Sequence, residues 1–259
     1  MHKSGQNEVI KPRRLAAWER ELLIDRLYPL HCRIFTGMER SRFVQQIIGT
    51  PARETTILLR KNRHGELVGY CAVHLYDHRL GQKTIGVVRC QAGLLREYRG
   101  GNSMIPFVLR KIVWFRLCHP LRRMVFFGAM IHPSSYLLCS KYAEGLWPVA
   151  GQENHPASHA LLNSCLRRFG LTPLDPAKPL VVNVGLHTRD DHDDQHYWLN
   201  CNKPAVRFFL EQNPNFLLGH GLLTLIPLSL MAMMASLGRL LCDRLLRGAR
   251  RWRARLQMT

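Results

Sequence analysis

The sequence predicts a mixed α/β (α+β) fold, a mainly antiparallel sheet flanked by helices with a helical extension at the C-terminus. Three observations predict it. Apolar spacing is helical before about residue 50, strand-like from 55 to 95, and mixed after that. The turn residues Asn62, Arg63, His64 and Gly65 separate two β-branched, apolar runs, which reads as a hairpin. The chain then ends in an apolar run followed by an arginine-rich one. With 259 residues, the chain is long enough to bury a core without metal or disulfide staples. Its 46% apolar and 21% charged residues exclude a wholly disordered or collagen-like chain.

Each element follows in order. Residues 1–14 form a polar, basic tail with no apolar run suited to a signal peptide. Leu15, Trp18, Leu22, Leu23 and Leu27 recur at helical spacing, and Pro29 is expected to end that helix. A second helix is expected over 40–48, stopped by Gly49, Thr50 and Pro51. Strands are expected over 55–60, 67–75 and 84–95, then a polar, glycine-bearing turn over 96–103. An apolar helix (104–118) follows, then a fully apolar strand-length run (124–131) that reads as buried on both faces. His132, Pro133, Ser134 and Ser135 open the next helix, over 136–144. Beyond it come a helix (158–169), a strand (180–186) and a short helix (205–211) between Asn-Pro turns. The expected organisation is 1–54, tail and helices; 55–150, a central α/β core; 151–215, the C-terminal part of the same domain; and 216–259, an apolar stretch plus an arginine-rich amphipathic helix.

The order hairpin, strand, glycine turn, helix, strand, helix over 55–147 resembles the core of the GNAT N-acyltransferase superfamily. The residues that carry the resemblance are Tyr98-Arg99-Gly100-Gly101-Asn102-Ser103 and His132-Pro133-Ser134-Ser135. The resemblance implies that the first turn holds the pyrophosphate of an acyl carrier on backbone N–H groups at a helix N-terminus. The physics agrees, because glycines let the backbone approach a phosphate and a helix N-terminus favours negative charge. Arg96, Arg99, Gly100, Gly101, Asn102 and Ser103 are the implied binding residues. The family has a tyrosine on the next helix that reprotonates the leaving thiol. Cys139 falls at that position, with Tyr142 about one turn away. Tyr142 and Cys139 are therefore the candidate acids, and Glu97 the candidate general base. Backbone N–H groups at about 90–93 would polarise the thioester carbonyl.

The implied reaction is transfer of an acyl group from acyl-CoA, or from a phosphopantetheine-linked acyl carrier protein, to an amine or hydroxyl. The glycine turn departs from the family's spacing in either frame. That leaves a second reading, a non-catalytic membrane- or nucleic-acid-associated protein on the same scaffold.

Charge supplies the remaining expectations. The chain carries 37 Lys+Arg against 18 Asp+Glu, a formal net charge of +19, which suits an anionic partner such as an acidic carrier protein or an anionic membrane. Nucleic acid is less favoured, since no zinc-finger, RNP or helix-turn-helix pattern appears. Residues 216–237 are 22 residues with one histidine and no other ionisable side chain, interrupted by Gly219, Gly221 and Pro227, which suits a segment in or on a membrane or, over 222–230, a core strand or helix. Seven arginines and one aspartate follow in 238–259, giving a basic amphipathic helix. The expected location is cytoplasmic, peripheral to the membrane or partly inserted in it. The eight cysteines form no CxxC pair and read as reduced and buried. The stretch 187–196 holds three histidines and four aspartates. It reads as a solvated loop rather than a metal site, and no metal is expected.

Overall fold

The computed structural model describes residues 7–99 and 104–256. In chain order the elements begin with β1 (Glu8–Ile10), α1 (Ala17–Ile34), β2 (Phe35–Thr36) and α2 (Arg40–Phe43), the last running into a π-turn over Val44–Ile48. The hairpin and its neighbour are β3 (Glu54–Lys61), β4 (Leu67–Leu80) and β5 (Lys83–Leu94). Then come α3 (Ile105–Cys118), β6 (Met124–Met130), α4 (Pro133–Tyr142) and α5 (Pro156–Phe169). The chain continues through β7 (Pro173–Asp175), β8 (Lys178–Asn183), β9 (His187–Thr188), α6 (His192–Leu199) and α7 (Pro204–Gln212). It ends with β10 (His220–Pro227) and α8 (Leu230–Leu256).

The main sheet has eight strands in the order β1-β3-β4-β5-β6-β10-β8-β7, and every neighbouring pair but one is antiparallel. The exception is β5 with β6, joined by the crossover helix α3. This is the mixed, mainly antiparallel, GNAT-like sheet expected from the sequence. The β3–β4 hairpin forms at the predicted turn. Gly65 there has a φ of +82°, which a side chain would strain, and Asn62 Oδ1 accepts from the backbone N–H of His64 and Glu66. A smaller core cluster packs α1 and α2 against β3 and β4. A larger one joins α3, α4, α5 and α7 to β5, β6, β8 and β10.

Three expectations change. Residues 1–14 are not simply a tail: Glu8–Ile10 pairs antiparallel with β3 as the edge strand of the main sheet, and Pro12–Arg14 forms a 3-10 turn with Pro12 buried. Pro29 does not end the first helix, which runs on to Ile34. The proline removes one helical hydrogen bond, but Leu27, Leu30, His31 and Ile34 all bury on the same face across it. That burial outweighs the local cost.

The apolar stretch 216–237 is not one segment. Phe216–Leu218 is a 3-10 turn, β10 lies between β6 and β8 inside the sheet, and only the remainder belongs to α8. Leu222, Leu223 and Thr224 are fully buried. The extension therefore starts near residue 230 rather than 216, because a central strand needs the same unbroken apolar run that a membrane segment does. Among the described residues, no helix is long and apolar enough to cross a membrane.

Candidate active site

The parallel pair sets the site. β5 and β6 are in register only at Gly86–Met124, Val87–Val125 and Val88–Phe126. Past that point β5 stays bonded to β4 as far as Leu94, and β6 stays bonded to β10 as far as Met130, but the two no longer pair with each other. Alternate backbone groups of 89–94 therefore face a gap between the strands. The expected carbonyl-polarising segment, 90–93, lies on this edge.

Two clefts open beside the gap. The first, about 440 Å³, is lined by residues that include Gly37, His132, His187, Asp190 and Gln195. The second, about 480 Å³, is lined by Cys32, Arg33, Leu95, Arg96, Glu97, Arg99 and Arg189. It holds four arginines and one glutamate, a set that fits a phosphate-bearing or otherwise anionic donor. Arg189 lines both clefts, so they adjoin.

His187 is the chemically distinctive group of the first cleft. Its Nδ1 lies 2.9 Å from the carbonyl oxygen of Leu217. A carbonyl only accepts, so Nδ1 carries the proton and Nε2 keeps a lone pair. Two glycines make room for the ring. A Cβ at Gly37 would lie 3.0 Å from His187 Cδ2 and 2.4 Å from the Gly185 carbonyl oxygen. A Cβ at Gly219 would lie 3.1 Å from both Cε1 and Nε2. Both glycines have positive φ, +93° and +78°.

His132 has the opposite arrangement. It caps the N-terminus of α4: its Nδ1 accepts from the Ser134 N–H at 3.2 Å and lies 2.6 Å from Ser134 Oγ. The proton therefore sits on Nε2, which stands 2.9 Å from Asp190 Oδ2 but off the line of its N–H. Neither nitrogen keeps a free lone pair. Asp190 also accepts from Arg99 Nη1 at 2.7 Å, and its side chain is only 3% exposed. Burial alone would raise the Asp190 carboxyl, yet the contacts with His132 and Arg99 hold it below its ordinary value.

The sequence-predicted residues fall as follows. Arg96 and Arg99 do come together at the end of β5, in the second cleft. Each is already engaged: Arg96 by Asp194, at 2.6 Å, and by Asp191; Arg99 by Asp190 and by the Leu94 carbonyl. Gly100, Gly101, Asn102 and Ser103 lie outside the described residues.

Glu97 lines the same arginine cleft, away from His187. Cys139 is half-buried, and desolvation with Cys90 nearby pushes its thiol up to about 12, so it stays neutral and makes a poor acid for a thiolate. Tyr142 donates to Asp243 on α8 at 2.7 Å, so its hydroxyl is held at the far end of α4. The stretch 187–196 is neither a metal cluster nor a bare loop. It supplies His187 to one cleft, Asp190 to the bridge, and Asp191 and Asp194 to Arg96; among the described residues no group of side chains is placed to hold a metal.

No family model matches the sequence, and no curated protein matches it. Solved structures do align. NAA60 of Arabidopsis thaliana in complex with acetyl-CoA is 13% identical, with a TM-score of 0.36 over 57% of this chain and 93% of that one. A putative phosphinothricin N-acetyltransferase is 14% identical, with a TM-score of 0.34 over 57% and 91%. A chimera of spermidine N-acetyltransferase SpeG from Vibrio cholerae and hSSAT is 13% identical, with a TM-score of 0.32 over 54% and 83%. Likenesses this distant carry no argument about activity, and the fold is GNAT-like on its own strand order, its one parallel pair and the helix that joins that pair.

Proposed function

We propose that the protein is an acyltransferase that moves an acyl group from a CoA or carrier-protein thioester to an amine. The observation that carries this reading is the parted β5/β6 pair opening beside a histidine with a free, oriented lone pair. The thioester lies along the gap, where the backbone N–H groups of 89–94 that point across it polarise its carbonyl. The donor's phosphates lie toward the arginine cleft, where Arg33 and Arg189 add to Arg96 and Arg99.

The amine enters the first cleft. Its nitrogen attacks the carbonyl carbon, and its proton passes to His187 Nε2. The tetrahedral adduct collapses with cleavage of the C–S bond. The proton on His187 then goes to the leaving thiolate. Neither Cys139 nor Tyr142 is needed as an acid.

The test is thiol release from a series of acyl-CoA and acyl-carrier thioesters with amine acceptors, in wild type and His187→Ala. Loss of the base lowers kcat by ~10²–10⁴-fold, with an unchanged melting temperature. If wild type releases no thiol and no CoA species stabilises it, the alternative of a non-catalytic scaffold holds instead.

A further inference from the structure

We propose that α8 seats the protein on an anionic lipid surface, lying in the plane of the interface. The inference stands apart from the acyl-transfer reading and rests on the outer face of this helix.

Leu230, Met234, Leu237, Leu241 and Leu245 are spaced by four, three, four and four residues, which places them along one helical face. All five are exposed, Met234 to 66% and Leu245 to 74%. The opposite face is fixed to the body of the protein. Ala232 and Leu240 are buried. Ser236 Oγ accepts from the Glu144 N–H at 3.0 Å. Arg239 pairs with Glu144 and donates to the Ala143 carbonyl oxygen. Asp243 accepts from Lys141 at 2.6 Å and from Tyr142 at 2.7 Å. These contacts with α4 and the turn after it leave the leucine and methionine row facing outward.

A row of this kind on a water-soluble surface is uncommon and marks an interaction face. Charge selects its partner. Residues 238–259 contain seven arginines and one aspartate, a net +6 from 7 − 1, on or directly after the same helix. An anionic bilayer satisfies both properties at once, taking the apolar row at the acyl boundary and attracting the net positive charge of the segment. A second copy of the chain would bring +6 against +6. A nucleic acid would leave the leucine row in water. The helix is too polar to span, which leaves the interface as its site.

The experiment is co-sedimentation of the full chain with vesicles of phosphatidylcholine alone and of phosphatidylcholine mixed with phosphatidylglycerol. Partition onto the anionic vesicles is expected to exceed that onto neutral ones by at least ~10-fold. It should fall as salt approaches about 1 M, where the screening length is ~3 Å. The double variant Met234→Glu/Leu241→Glu should lose ~10-fold or more in partition, while its circular dichroism and melting temperature stay native because both positions face outward. Equal partition onto neutral and anionic vesicles, or undiminished partition of the double variant, overturns the proposal. So does a dimer in solution that the double variant disperses, or tight binding to duplex DNA without vesicle partition.

Discussion

From Gly86 to Val88, strand β5 is zipped to β6; from Arg89 to Leu94 it is not, and the two ends of this one pairing carry different chemistry. The closed end is apolar. Val87 and Val88 are fully buried, and Met124 and Val125 nearly so. The open end begins with a charge. Arg89 lies over the rings of Phe169, at 4.4 Å, and Phe127, at 5.7 Å. It sits opposite His74 in the β4–β5 register. Beyond it come the gap, the two clefts and the clamped His187. Backbone pairing joins the strands at the closed end, whereas at the start of the open end Arg89, Phe127 and Phe169 pack on one another. A parted strand pair exposes backbone groups that water or a ligand must satisfy.

The largest effect comes from the residue at the fork. Phe127 is fully buried and stacked on Phe169, with ring centroids 5.5 Å apart and planes 18° apart. Phe127→Ala should cost ~3–5 kcal/mol in urea unfolding. It removes both the stacking on Phe169 of α5 and one ring beneath Arg89. A loss below about 1 kcal/mol would mean that the fork relaxes around the cavity, so that the gap is not held open by packing.

The closed end was legible in the sequence and the open end largely was not. Residues 124–131 announced a buried strand by their unbroken apolar run, and 62–65 announced a hairpin by turn chemistry. Both signals are local. His187 was visible only as one member of a histidine- and aspartate-rich stretch. What orients its ring is the Leu217 carbonyl and the glycines at 37 and 219, which lie far along the chain on other elements. The aspartates of that stretch read as solvent-facing, yet three of them pair with Arg96 and Arg99. No spacing rule brings residues 96–99 to 190–194. The stretch 216–237 misled for a different reason: an interior strand and a membrane segment make the same demand for apolarity, and periodicity alone does not separate them.

A second effect follows from His74 at the mouth of the open end. It is 1% exposed, and its Nδ1 lies 3.0 Å from Thr55 Oγ. Burial, aided by the Arg89 charge, lowers its pKa to about 3 from an ordinary 6.5. The unfolded chain therefore binds a proton below pH 6.5 that the native protein refuses until about pH 3. Stability contributed by the neutral ring is full above 6.5 and is lost as pH falls through that window. The slope from this one group is about 1.4 kcal/mol per pH unit. His74→Leu should flatten the unfolding free energy between pH 6 and 4 by about that amount. An unchanged slope would show that the native ring takes up its proton in the ordinary range, so the open end would be wetter than its burial indicates.

The smallest effect is the most specific to the open end. Gly219 has a φ of +78° and leaves room for His187. Gly219→Ala asks an L-residue to hold a left-handed backbone, which costs ~1–2 kcal/mol. It also sets a methyl carbon 3.1 Å from Cε1 and Nε2 of His187 and 3.2 Å from the Leu186 nitrogen. These distances are tight without being impossible, so the ring must turn or retreat by a few tenths of an ångström. The bond from Nδ1 to the Leu217 carbonyl fixes the ring's tautomer, and a turned ring loses that constraint. The expected result is a modest fall in melting temperature with a larger, ~10-fold or greater fall in kcat. Gly65→Ala is the control. Gly65 has a similar φ, +82°, but has nothing within 4 Å of its would-be Cβ and lies in the β3–β4 turn. It should reproduce the stability loss without lowering kcat. If both variants lower stability alike and leave kcat where it was, the orientation of His187 does not govern proton transfer, and the base must be sought elsewhere along the gap.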